Sequence, residues 1–106
     1  MPTPLEIDAA TAARELQAGA MLLDVREPDE LAICSIAGST GIPMREVPAA
    51  LERLPQDRDI LVLCHHGSRS LMVVRFLRAH GFERATNIAG GINAWAQVVD
   101  PSLPRY

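Results

Sequence analysis

The sequence predicts an α/β fold in which a central, mainly parallel sheet carries helices on both faces. Two observations lead there. The stretch "DILVLC", residues 59–64, contains an unbroken run of Ile, Leu and Val without polar alternation, the pattern of a strand covered on both sides. Around it, short apolar runs alternate with longer helical patterns, and parallel strands require crossovers of that kind.

Each element has a local reason. "LEI" (5–7) is a brief edge strand, and Asp8 then caps a short amphipathic helix, "AATAAREL", that ends at Gly19. "AMLLDV" (20–25) lies between Gly19 and the charged "REPDE" and reads as a buried strand. "PDELAI" makes one or two helical turns, with Pro28 at an allowed early position. "STGIP" (39–43) is a short strand weakened by Gly41, and "MREVPAALERL" is helical around Pro48. After "DILVLC", the segment "SRSLMVVRFLRAHG" places Leu71, Val73, Val74, Phe76 and Leu77 on one wide stripe, stopped by Gly81. "RATNI" is a last strand, "GGINAWAQVV" a closing helix, and "DPSLPRY" a tail containing two prolines.

With 106 residues, 48% of them hydrophobic, the chain has material for one core and not for two, so one domain over 1–106 is expected. The net charge of −3, with ten scattered arginines as the basic residues, disfavours a nucleic-acid surface, which needs clustered cations. No apolar run approaches a membrane span, and "MPTPLEIDAA" lacks the basic start and apolar core of a signal peptide. A cytoplasmic protein is expected. In that compartment Cys34 and Cys64 remain free thiols.

The chemistry concentrates after the strongest strand. Ligands of parallel α/β folds collect where strand carboxyl ends meet helix N-termini, and Cys64 stands at such a place. From His65 through His66, Gly67 and Ser68 to Arg69 the chain turns from strand to helix, and Gly67 permits a curl that aims successive N–H groups inward. Those amides, the positive helix end and the Arg69 side chain favour an anionic sulfur, and the thiolate is the nucleophile. Either histidine, if protonated, adds to the same field.

The pattern C-x-x-G-x-R-S in "CHHGSRS", with "LLDVREPDE" before it and "GGINAW" after it, resembles the rhodanese superfamily of sulfurtransferases, in register over roughly residues 3–97. The resemblance implies a rhodanese-like α/β fold and a ping-pong reaction. Cys64 takes a sulfane sulfur from a donor such as thiosulfate, holds it as a persulfide, and passes it to a thiol or cyanide acceptor. It also implies that the amides of His65, His66, Gly67, Ser68 and Arg69 bind the outer sulfur and that the Arg69 side chain attracts the donor anion. The sulfur is carried covalently, so no cofactor is implied. A sulfur-carrier or desulfurase protein is a further partner, and a relay module with little turnover of its own is the alternative to an enzyme. A module with no chemistry is disfavoured by the retained cysteine. Related phosphatases place five residues between cysteine and arginine, whereas four separate Cys64 from Arg69 here. The tighter ring suits one sulfur atom better than a phosphoryl or arsenate group.

Other residues have plainer readings. His65, His66 and Cys64 are adjacent and lack the spaced pairs of a zinc site, so no metal is expected. His80 sits at a helix end, where capping explains it. "CSIAG" puts Cys34, Ser35 and Ala37 where rhodaneses usually carry Gly, His and Pro, and a resolving role for Cys34 would require proximity to Cys64. Asp24, Arg26 and Glu27 are expected to form an ion pair that pins this corner to the active loop. Trp95, Gly90 and Gly91 are expected to serve packing and a tight turn.

Overall fold

The computed structural model describes residues 4–106. Its strands are β1 (Glu6–Ile7), β2 (Met21–Asp24), β3 (Thr40–Gly41), β4 (Ile60–Leu63) and β5 (Ala85–Ile88). Its helices are α1 (Ala9–Gln17), α2 (Pro28–Ile33), α3 (Ser68–Ala79) and α4 (Gly91–Val98), with a 3-10 segment over Met44–Arg53. The strands form one sheet in the order β1-β5-β4-β2-β3, paired in parallel throughout.

Strand β4 lies at the centre, and all four of its residues are buried. Because side chains alternate across a strand, Ile60, Val62 and Cys64 face one side while Leu61 and Leu63 face the other. The first side packs against Val73, Val74 and Leu77 of α3 and Val47 and Ala50 of the 3-10 segment. The second packs against Ala9 and Ala12 of α1 and Ile92 and Trp95 of α4. Full burial of Leu61 or Leu63 stabilises the fold by about 1.5–3 kcal/mol each. Leu61→Ala would cost more, about 2–5 kcal/mol, because a cavity remains in the covered sheet.

Helix ends match their caps. The Thr11 N–H donates to Asp8 Oδ1 at 2.7 Å, and this bond holds the Asp8 carboxyl below its ordinary range. His80 caps α3: its N–H donates to the Leu77 carbonyl at 3.0 Å, and its Nδ1 lies 2.8 Å from the Phe76 carbonyl. The segment expected to be helical around Pro48 is helical, with 3-10 geometry over Met44–Arg53. Trp95 is buried among apolar neighbours.

Strand register sets the position of the site. Asp24 pairs with Leu63 and Val62 with Asn87, so the carboxyl ends of β2, β4 and β5 open onto one edge. Among the described residues no helix is long and apolar enough to cross a membrane.

Candidate active site

Cys64 is the first residue after β4, 1% exposed, and the chain curls around its sulfur before α3 begins. Gly67 makes the curl with φ of +108°, a region that L side chains rarely adopt. A Cβ there would also stand 3.2 Å from the Gly90 nitrogen. The Gly67 N–H consequently reaches Cys64 Sγ at 3.1 Å, and the Ser70 hydroxyl, from the first turn of α3, lies 3.2 Å from the same sulfur. Both are buried.

The outside of the loop rests on α4. The Ile92 N–H donates to the Cys64 carbonyl at 2.8 Å and the Asn93 N–H to the His65 carbonyl at 3.1 Å. In a trans peptide the N–H points opposite the C=O, so the amides of His65 and His66 are turned away from α4. This seat depends on Gly91: a Cβ there would fall 2.4 Å from the Cys64 oxygen and 2.5 Å from the His65 oxygen. Gly91 therefore supports close approach of two backbones, beyond the tight turn expected of it.

A charged network braces the other side. Arg69 gives both terminal nitrogens to Glu30, at 2.7 and 2.9 Å, with the arginine side chain 34% exposed and the carboxylate 15%. Those bonds pull the Glu30 carboxyl down to about 2 and push the Arg69 guanidinium up. Glu30 also accepts from the Glu27 N–H at 3.0 Å, which ties it to the start of α2. The Tyr106 hydroxyl donates to Glu30 Oε2 at 2.8 Å and accepts from Arg26 Nη1 at 2.9 Å. Burial lifts this phenol to about 12, so it keeps its proton at neutral pH.

Arg26 and Asp24 are fully buried and paired at 2.8 Å. Arg26 also donates to the Cys34 carbonyl at 2.8 Å. Burial opposes its charge, and the bonds to Asp24 and Tyr106 more than offset that penalty. The expected ion pair is thus present, but it fastens the Cys34 segment and the tail, while Glu30 braces the loop helix through Arg69. Glu27 pairs with Arg45 instead.

The remaining loop residues divide by exposure. His65 is half-buried, its ring stacked between His66 and Tyr106 at 3.9 Å from each. Burial and the neighbouring His66 lower its affinity for a proton, so it is neutral at neutral pH. His66 and Ser68 are exposed. Both cysteines are free. Cys34 packs in the cluster under α1 and α4 and Cys64 in that under α3, on opposite faces of the sheet. Among the described residues no group of three His, Cys, Asp or Glu side chains is placed to hold a metal.

Two contributors, Asn87 and Tyr106, lay outside the motifs singled out in the sequence, and two more, Ser70 and Glu30, lay inside them without a role assigned. Asn87 did carry a signal, since a polar side chain inside a buried strand needs a partner. Tyr106 carried none, because its partner Glu30 is far away in sequence.

The loop and its supports match a known domain. Residues 8–98 match the family model of the rhodanese-like domain. The chain belongs to the rhodanese family. A sulfurtransferase of Allochromatium vinosum is 34% identical over 87% of this chain and 88% of its own. A chloroplastic rhodanese-like/PpiC domain-containing protein of Arabidopsis thaliana is 42% identical over 82% of this chain, which spans only 30% of that relative. The crystal structure of a rhodanese-related protein from Thermoplasma volcanium superposes with a TM-score of 0.82, at 37% identity, over 89% of this chain and 92% of that one. The rhodanese α/β fold and the sulfurtransferase family are thereby shown.

Proposed function

We propose that the protein transfers sulfane sulfur through a persulfide on Cys64, with thiosulfate as a donor. The observation that carries this is the convergence of the Gly67 N–H and the Ser70 hydroxyl on Sγ inside a loop seated at the head of α3. Donors aimed at a sulfur favour its anionic form.

The thiolate attacks the outer sulfur of thiosulfate. The donor S–S bond breaks, sulfite leaves with the electron pair, and a Cys64 persulfide remains. An acceptor nucleophile then attacks the outer sulfur and returns Sγ as thiolate. Loading lengthens the side chain by about 2 Å, one S–S bond, so the acceptor meets the outer sulfur rather than buried Sγ. Arg69 is engaged by Glu30, so the loop amides bind the donor anion and the guanidinium braces α3 against α2. The four-residue spacing from Cys64 to Arg69 favours sulfur over a phosphoryl or arsenate group.

Two free thiols fit a reducing, cytoplasmic setting. A relay role beside a protein partner, such as a sulfur carrier or desulfurase, is favoured by one observation: the Arabidopsis relative embeds the same domain in a much longer chain. Thiosulfate and cyanide should give thiocyanate with the purified protein and none with Cys64→Ala. Negligible turnover by a protein that still accepts sulfur from a desulfurase would select the relay.

A further inference from the structure

The sulfur is the first member of a buried polar chain that leaves the loop. Ser70 Oγ lies within hydrogen-bond reach of both Cys64 Sγ and Asn87 Oδ1. Asn87 Nδ2 donates to the Gly67 carbonyl and to Glu6 Oε2, each at 3.1 Å. Both of those partners are acceptors only, so the amide of Asn87 cannot flip, and its oxygen must face Ser70. Ser70 and Asn87 are at most 1% exposed, which keeps water from substituting. The Ser70 hydroxyl is the donor to Asn87 Oδ1 among the described residues.

A hydroxyl has one hydrogen, and here two acceptors want it. With a protonated Cys64, the S–H donates to Ser70 Oγ and the Ser70 O–H donates to Asn87, so every group is satisfied. With a thiolate, the hydrogen must turn to Sγ, and a buried amide oxygen loses its donor. We infer that Asn87 is a positioning residue that sets the charge state of Cys64 by competing with the sulfur for the single hydrogen of Ser70. The inner sulfur of a persulfide is neutral, so loading releases the hydrogen to Asn87 again. That consequence rests on the sulfur-transfer reading, whereas the competition itself does not.

The charged and titratable groups around the sulfur are His65 and His66 in the loop, Arg69 on α3, Glu30 on α2, Asp24 and Arg26 at the end of β2, Glu6 on β1 and Tyr106 in the tail. None changes in the variants that follow.

The test is the pH profile of alkylation by iodoacetamide in a Cys34→Ala background, which leaves Cys64 as the reporting thiol. Asn87→Leu keeps the number and branching of side-chain heavy atoms, Asn87→Ala is the second, smaller replacement, and circular dichroism selects folded variants. Removing the competitor should raise the acid dissociation constant of Cys64 roughly three- to tenfold, the worth of the one neutral hydrogen bond to Asn87 that the thiolate otherwise forfeits. Ser70→Ala should lower that constant, and in the Ser70→Ala background the Asn87 change should have no effect. A loosened loop predicts the opposite sign, because it loses the Gly67 donor. An unchanged or lowered constant in Asn87→Leu and Asn87→Ala, or an equal rise with and without Ser70, would overturn the inference. Should this cycle behave as stated while no donor yields a persulfide, the transfer reading fails and the competition stands.

Discussion

Gly91→Ala tests whether α4 is the seat of the Cys64 loop. The backbone there has φ of +59°, and the added Cβ meets the Cys64 and His65 oxygens at 2.4 and 2.5 Å. Neither oxygen ends a flexible side chain, so relief requires α4 to retreat by about 1 Å to ordinary contact distance. That retreat stretches the Ile92 and Asn93 bonds, now 2.8 and 3.1 Å, beyond hydrogen-bond range. Two lost bonds at about 1 kcal/mol each and about 1 kcal/mol of left-handed strain give about 3 kcal/mol. Gly38→Ala is the control, since its φ is +85° with open space around it, and it should cost only the strain of about 1 kcal/mol. Urea denaturation measures both stabilities. Gly91→Ala should be the weaker by about 2 kcal/mol, with sulfur transfer lost as the loop amides shift. Equal stabilities and unimpaired transfer would refute the seat.

Other perturbations act on the braces. The depressed Glu30 carboxyl stabilises the fold above its ordinary value near 4.5, and that stability is lost as pH falls toward about 2. Allowing for the exposure of Arg69, the pair is worth about 1–2 kcal/mol, so Glu30→Gln should be weaker than the parent in urea at about pH 6 and equal to it near pH 2. Tyr106→Phe removes the hydroxyl shared by Arg26 and Glu30 but keeps the ring on His65, and should lower urea stability by about 1–2 kcal/mol. Asp24→Ala strands a fully buried guanidinium and should cost about 3–5 kcal/mol, largely recovered in Asp24→Ala/Arg26→Met as read by thermal melting.

Local chemistry explains which parts of the molecule were legible. "DILVLC" announced its strand because a run of that composition has nowhere to go but between two covered faces, and β4 is that strand. The caps at Asp8 and His80 were equally readable, since both act within four residues of themselves. The helix around Pro48 was readable as well, since proline keeps helical φ, whereas its 3-10 geometry was not. At the site, the Cys64 loop could be read since its parts are contiguous. Ser70 meeting Asn87, and Glu30 meeting Arg69 and Tyr106, could not be, because those contacts depend on strand order and on where the tail returns.

Everything proposed for the site requires that buried Sγ of Cys64 accept and carry one sulfur atom. Intact-mass spectrometry after thiosulfate treatment reads this directly. A gain of one sulfur mass that maps to Cys64 and disappears on adding cyanide is expected. An unchanged mass with thiosulfate and with a persulfide-loaded desulfurase alike would contradict it.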